Sequence, residues 1–134
     1  GFKNFGTYCR FINDELGRLA SRLKATPEPG GEGSMLDNTA LFFGSASSAF
    51  HLSRNYPLLL FGGKNMGFKH GQYLKYGEGN DKNQATSGIS NDSGWRAEMR
   101  YTELPLSSLY LSMLHKLGVE TNSFGGSTET LREV

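Results

Sequence analysis

The sequence lacks the features that mark several large classes of protein. Its one cysteine, Cys9, excludes an internal disulfide and fits no metal-ligand spacing, so cysteine usage does not reveal a redox compartment. No apolar stretch approaches the ~20 residues needed to cross a bilayer, so no transmembrane segment is predicted. Lysine and arginine form no dense run, and a net charge of +1 offers no electrostatic footprint for nucleic acid.

The beginning of the sequence also lacks a signal peptide, and its first residue is glycine rather than methionine. We therefore expect a processed or truncated product, or part of a longer protein. With 134 residues, of which 37% are hydrophobic, the chain is long enough for one core, and we predict a single α/β unit over residues 1–134. Residues 77–94 are almost devoid of apolar side chains, which predicts a polar insertion or mobile loop.

Two segments have the apolar periodicity of amphipathic helices. Over Thr7–Lys24 apolar residues recur at three- and four-residue steps, with Thr7 as a plausible N-cap, and this pattern predicts a helix packed on a core. Cys9 lies on this helix, and we interpret it as a small buried or half-buried apolar group rather than a reactive thiol. The second helix is predicted over Pro105–Leu117, with Pro105 in its first turn and Gly118 as its left-handed cap.

Between these helices, two short apolar runs predict strands buried on both faces. The first, Thr39–Phe43, is closed by Gly44, and the second, Leu58–Phe61, is closed by two glycines. Period alone does not exclude a buried helix for either run. The following segment, Lys64–Tyr76, predicts a β-hairpin or a pair of short edge strands.

The crossing between the two strands is the best candidate site, because loops at strand ends hold polar groups in a rigid frame. The alternative is that its hydroxyl and amide groups satisfy turn amides and that its histidine is merely partly buried. Lys64, Lys69 and His70 similarly offer either an anion contact or a solvated surface. The polar residues that make up the candidate pocket are Ser45, Ser47, Ser48, His51 and Asn55.

The order of several short motifs resembles that of a known family. The motifs are Leu36-Asp37-Asn38-Thr39, Phe43-Gly44-Ser45, His51, Asn55, Pro57-Leu58-Leu59-Leu60, Gly62-Gly63, Gly71 with Tyr73-Leu74, Leu109-Tyr110-Leu111, Leu114-His115-Lys116-Leu117-Gly118-Val119 and Phe124-Gly125. In this order they resemble the carboxyl-terminal part of domain-of-unknown-function family 1552. That family consists of exported bacterial proteins and looks like a branch of the alkaline phosphatase and sulfatase superfamily.

The resemblance implies an α/β fold: the C-terminal portion of an alkaline-phosphatase-like sandwich, with short buried strands, two flanking amphipathic helices and a β-hairpin. It also implies an exported or periplasmic location. In the superfamily an Asp-His pair of metal ligands follows the strand before the metal site. Ser45 and Ala46 stand at that place here, and His51 is the only weak candidate for a later ligand. The nucleophile and the remaining ligands of the superfamily would lie upstream of Gly1.

Two functions are therefore expected from different classes. The first is a non-catalytic structural or binding protein, or a subunit of a larger assembly, with a degenerate metal site and no cofactor. The second is a metal-dependent phosphate or sulfate ester hydrolase, in which a divalent metal and a nucleophile from outside this chain complete the site. In both cases the apolar faces are expected to need another polypeptide, either a missing amino-terminal part or a partner subunit.

Overall fold

The computed structural model describes residues 2–45, 57–76 and 104–134. These residues form helix α1 (Phe2–Ala25), strands β1 (Ala40–Gly44) and β2 (Leu58–Gly62), and helix α2 (Leu106–Lys116). Two 3-10 turns cover Met35–Asn38 and Lys64–Met66. The mixture of helix and strand agrees with the predicted α/β class at this coarse level. The predicted polar insertion, residues 77–94, lies outside the described residues.

Helix α1 begins earlier than its periodicity predicted. Thr7 was expected to be the N-cap, but the helix starts at Phe2, and the Thr7 hydroxyl donates to the carbonyl of Lys3 at 3.0 Å. That bond is typical of a threonine in a helix interior, where the hydroxyl takes a carbonyl acceptor one turn earlier. The end of the helix was predicted within one residue, because Pro27 cannot continue it.

The connector after α1 is an ordered turn. The carbonyl of Thr26 accepts from Met35 N at 2.9 Å, and the carbonyl of Gly33 accepts from Glu28 N at 3.1 Å, which closes the connector into a hairpin-like loop. It leads directly into the 3-10 turn Met35–Asn38, which contacts α1. Several backbone hydrogen bonds therefore fix the path of the chain from the helix to the strand.

Strands β1 and β2 form a two-stranded antiparallel sheet. Their side chains are half-buried, and Leu59 keeps 49% of its surface exposed, so the prediction of strands buried on both faces is wrong for the described residues. Strands are buried on both faces only where other layers pack on each side of the sheet, and a two-stranded sheet provides little such packing by itself. Two glycines lie close to the residue that precedes the opposite strand: Gly44 to Pro57 before β2, and Gly62 to Thr39 before β1.

The predicted β-hairpin over 64–76 is also wrong. The segment starts with the 3-10 turn Lys64–Met66, and no strand follows it up to Tyr76. Gly63 and Gly67 flank the turn in the left-handed region, with φ of 67° and 84°, so the backbone turns there instead of extending. Gly71 also has a positive φ, 79°.

Helix α2 agrees with its prediction, Pro105–Leu117, within one residue at each end. Pro105 is the N-cap, and Gly118 follows the last turn with a φ of 78°. Gly118 N donates to His115 O at 3.0 Å and Val119 N donates to Leu114 O at 2.9 Å, the two bonds of a Schellman motif. Its buried face is formed by Ser108 and Ser112 beside Leu111, which is 1% exposed.

The carboxyl-terminal segment covers that serine face. Phe124 and Ser127 pair across a tight turn made by Gly125 and Gly126, both with positive φ. The Phe124 ring meets Tyr110 edge to face, with centroids 5.9 Å apart. The segment therefore docks on α2 through both an aromatic pair and the hydrogen bonds described below.

By its internal contacts the chain divides into two compact units. The first comprises Gly1–Phe42 and Leu60–Phe68, and holds α1, the connector and both 3-10 turns. The second comprises Phe43–Leu59 and Lys69–Val134, and holds α2 and the carboxyl-terminal segment. The buried apolar residues are few: Phe68 in the first unit, and Leu111 and Val134 in the second, among the described residues.

Candidate functional site

The structure describes one residue of the predicted pocket. Ser45 directly follows β1, its side chain is exposed, and its backbone N–H donates to Pro57 O at 3.3 Å. The remaining members, Ser47, Ser48, His51 and Asn55, lie outside the described residues. The predicted convergence of this loop therefore stays a prediction.

The two chain segments at the base of the loop approach each other closely. A Cβ at Gly44 would lie 2.5 Å from both Pro57 O and Leu58 Cδ2, so only glycine allows the observed distance. The Ser45–Pro57 hydrogen bond continues the pairing of β1 and β2 beyond the strands. Ser45 and Pro57 are thus held close together at the end of the strand pair.

The antiparallel pairing decides where the two strands end. In parallel α/β sheets the carboxyl ends of neighbouring strands meet at one edge, where ligands bind. Here β1 ends at Gly44, next to Pro57, whereas β2 ends at Gly62, next to Thr39. The polar loop and the glycine-rich exit therefore follow opposite ends of the strand pair.

At the glycine exit, the polar groups are occupied in holding the turn. Asp37 Oδ2 accepts from Ser34 N and from Ser34 Oγ, both at 2.8 Å, so this carboxylate fixes the local backbone. The Ser34 backbone bond, followed by the Ser34 hydroxyl, lowers the pKa of Asp37; Lys64 and Lys24 add to this shift, and partial desolvation opposes it.

Two asparagine side chains join the connector to the second 3-10 turn. The Asn65 amide donates to Glu32 O and to Asn38 Oδ1, both at 3.1 Å, and Asn38 donates to a Glu28 carboxylate oxygen at 3.3 Å. These bonds span up to 33 residues of sequence, and no local pattern indicated them. Because every acceptor is already bonded within the network, the arrangement stabilises the loop rather than presenting a set of converging ligands.

The second unit contains a cluster of serines that the sequence analysis missed. Ser127 Oγ lies 2.5 Å from Ser107 Oγ and accepts from Ser108 Oγ at 3.2 Å. Ser112 Oγ donates to Ser108 O at 2.8 Å and accepts from Leu131 N at 2.7 Å. Ser108 and Ser112 are four residues apart and so lie on one face of the helix. The prediction used the periodicity of apolar residues, which does not include serine.

The end of the chain is held by side chains from the segment after the 3-10 turn. Lys69 Nζ donates to Arg132 O at 2.5 Å, and Gln72 donates to Glu133 O at 2.6 Å. Lys69 therefore binds a backbone carbonyl, which neither the anion-contact nor the solvated-surface interpretation predicted. Burial raises the pKa of the Tyr76 phenol, and the charge of Glu133 and its hydrogen bond to the phenol raise it further.

Helix α1 presents large apolar side chains to solvent. The exposed fractions are 67% for Phe5, 61% for Tyr8, 57% for Phe11 and 46% for Leu19; we call these four residues the α1 apolar surface. Cys9 is half-buried with a free thiol, as its interpretation predicted. The predicted packing of this helix on a core therefore does not include these four side chains in the structure.

In the part of the chain that the structure describes, no three side chains of His, Cys, Asp or Glu come together to form a possible metal site. The described helices also include none with the length and apolar character needed to cross a membrane. Comparisons with protein-family models, with curated proteins and with solved structures find no match. A functional assignment therefore depends on the motifs of the sequence and on the surfaces of the structure.

Proposed function

We propose that this chain is a non-catalytic structural or binding component of a larger assembly. In this proposal it forms the carboxyl-terminal portion of an alkaline-phosphatase-like sandwich whose metal site is degenerate. The observation that supports it best is the exposed α1 apolar surface. Monomeric proteins rarely keep several large apolar side chains exposed together unless another molecule covers them.

Burial of this surface by another molecule would stabilise a complex. Completely burying a side chain such as Phe or Leu contributes about 1.5–3 kcal/mol. Phe5, Tyr8 and Phe11 keep more than half of their surface in water, so each would gain about 1 kcal/mol or more on being covered. The gain grows if the half-buried strands acquire cover as well.

The half-buried strands support the finer proposal about the fold. Apolar residues occupy every position from Ala40 to Phe43 and from Leu58 to Phe61, so both faces of the sheet are apolar. Strands of this kind are typical of sheets covered on both faces. We infer that further strands and helices of a longer domain or of a partner subunit supply the remaining layers, and that the domain is exported.

The non-catalytic role follows from the residues at the end of β1. By the family resemblance, an Asp-His pair would follow this strand, and the sequence has Ser45 and Ala46. A carboxylate and an imidazole bind a divalent metal, whereas a neutral hydroxyl is a weak ligand and a methyl group is none. A site with these substitutions would not hold a hydrolytic metal in the usual way.

The alternative is a metal-dependent phosphate or sulfate ester hydrolase. It is favoured by the position of Ser45, which is exposed directly after a strand, where a group that orients substrate could lie. In this alternative His51 is a metal ligand, and the nucleophile comes from outside the chain.

The two functions are separated by assaying the native polypeptide with para-nitrophenyl phosphate and para-nitrophenyl sulfate, with and without added zinc, calcium or magnesium. We expect no metal-dependent turnover. Turnover that requires metal, is abolished by His51→Ala and survives His115→Gln would contradict the proposal. His115 is a suitable control because its Nε2 donates to Thr121 O at 2.7 Å, so it already has a structural partner.

The assembly is tested by the mass of the native complex, measured by light scattering during gel filtration. We expect a mass well above that of the isolated 14.7 kDa chain. A stable monomer of this chain at micromolar concentration would count against the binding role. Cell fractionation of the native source tests export, with the periplasmic or extracellular fraction as the expected location.

A further inference from the structure

Helix α1 carries charge as well as apolar residues on its exposed side. By helical spacing, Tyr8, Phe11, Glu15, Leu19 and Arg22 lie along one line of the helix, since residues three and four apart share a face. A parallel line is half-buried and is formed by Cys9, Ile12, Leu16, Ala20 and Leu23. The exposed line is thus a second face beside the one that the first unit partly covers.

The composition of this exposed line changes from one end to the other. Toward the amino end it is aromatic, and toward the carboxyl end a recess lies between charged and apolar side chains. Leu19 and Leu23 supply the apolar part of the recess. Its complete lining is Glu15, Arg18, Leu19, Arg22, Leu23 and Thr26.

The charges at the recess are mostly positive. Among the residues that the structure describes, α1 has two ion pairs, Arg18 with Glu15 and Arg10 with Asp14. Neither of them includes Arg22. The helix carries five basic and two acidic side chains, so it has a net charge of +3, whereas the whole sequence has +1. The positive charge of the protein is therefore concentrated on the element that also exposes the aromatic residues.

We propose that the exposed line of α1 is the docking site for an acidic amphipathic segment of a second polypeptide. This inference rests on the proposed binding role and adds the site and the chemistry of the partner. Apolar side chains of the partner cover Tyr8, Phe11 and Leu19, and a carboxylate pairs with the guanidinium of Arg22. Tyr, Phe and Arg are enriched at protein interfaces, and arginine pairs with carboxylates through two parallel hydrogen bonds.

The proposal is tested by photo-crosslinking in the organism that produces the protein. Para-benzoylphenylalanine replaces Phe11, which is 57% exposed, so the probe lies at the centre of the site and the fold tolerates it. Cross-linked peptides are identified by mass spectrometry. We expect peptides rich in Asp and Glu with apolar residues at helical spacing.

Charge reversal then tests the role of the recess. Arg22→Glu in the probe-bearing protein is expected to lower the cross-linking yield about tenfold or more, the loss that corresponds to about 1.4 kcal/mol. Arg10→Glu is the matched control, because Arg10 has an 85% exposed side chain on another face of the same helix. Circular dichroism of each variant shows whether α1 is retained.

Several outcomes would overturn the proposal. They are cross-links only to a second copy of this chain, peptides without acidic residues, and equal losses for Arg22→Glu and Arg10→Glu. Flotation with phosphatidylcholine vesicles that contain phosphatidylglycerol, if it depended on Arg22, would assign the site to a lipid surface instead. If the native complex forms but survives Tyr8→Ser and Arg22→Glu, the binding role stands and this site is wrong; if no complex forms, the binding role itself fails.

Discussion

Replacing Gly62 by alanine should destabilise the first unit strongly. Gly62 ends β2 with a φ of 78°, and a Cβ built there would lie 2.2 Å from Thr39 O and 2.8 Å from Leu36 Cδ1. The nearest atom is a backbone oxygen, which cannot rotate away as the tip of a side chain can. The backbone of β2 or of the 3-10 turn must therefore move to admit a methyl group.

The magnitude is the sum of two costs and one gain. A left-handed backbone costs a residue with a Cβ about 1–2 kcal/mol. Forcing an extra methyl group into a packed site costs about 1–3 kcal/mol. Alanine recovers about 0.4–1 kcal/mol because it restricts the unfolded chain. We therefore expect the free energy of unfolding to fall by about 2–4 kcal/mol.

Gly30→Ala is the matched control. Gly30 belongs to the same unit and has nearly the same φ, 73°, but a Cβ there meets nothing within 4 Å. The Gly30→Ala variant has the cost of the left-handed backbone but not that of a steric contact. We therefore expect its free energy of unfolding to fall by about 1 kcal/mol. Urea unfolding of both variants, followed by circular dichroism, gives the comparison. Equal losses for the two variants would refute the argument that Gly62 is required by the close approach of the backbone.

Three further perturbations follow from the hydrogen bonds. Replacing Asp37 by asparagine should remove the stabilisation that its carboxylate provides above the ordinary aspartate pKa of about 4. This stabilisation declines as the pH falls through the lowered pKa of the folded state. The melting temperatures of wild type and variant should therefore converge in acid. Replacing Ser112 by alanine leaves the amide of Leu131 without its acceptor and should cost about 1–3 kcal/mol, with faster hydrogen exchange at that amide. Glu133→Gln should lower the pKa of Tyr76 toward that of an ordinary phenol without fully restoring it, because burial, the larger cause, remains; ultraviolet titration measures this.

Each of these predictions has a control in the chain. Asp14 lies on the exposed side of α1 in an ion pair 3.9 Å long, so Asp14→Asn should change the melting temperature at neutral pH little. Thr128 is exposed near the serine cluster, and Thr128→Ala should cost little. Glu129 is exposed and is not among the causes of the Tyr76 shift, so Glu129→Gln should leave the ultraviolet titration of Tyr76 unchanged. A change at any of these controls comparable to that at its test residue would contradict the corresponding assignment.

The elements that the sequence predicted best are those determined by local chemistry. The 3.6-residue periodicity located both helices, and Gly118 ended α2 because only a left-handed residue permits the Schellman bonds. The short apolar runs, each closed by glycine, predicted the bounds of β1 and β2 within about one residue. Thr7 was misplaced because a threonine hydroxyl serves equally as a cap and as a donor inside a helix.

The parts that the sequence could not predict depend on distant partners. The direction in which β1 and β2 pair is not encoded in either run, and it decides that their carboxyl ends lie apart. The serine face of α2 is buried only because residues 19 or 20 positions later cover it. Of the candidate site, the narrow base at Gly44 and Ser45 is described, whereas the convergence of Ser47, Ser48, His51 and Asn55 stays a prediction.

The way in which the chain end is held affects which changes evolution can accept there. Lys69 and Gln72 bind the main-chain carbonyls of Arg132 and Glu133, which every amino acid provides. Substitutions at residue 132 therefore keep the Lys69 bond, and substitutions at residue 133 keep the Gln72 bond. The insertion or deletion of one residue after Leu131 would instead displace both carbonyls. Residue 132, which Lys69 binds through its carbonyl, should therefore vary in amino-acid identity among related chains, whereas the spacing between Leu131 and Glu133 should be constant.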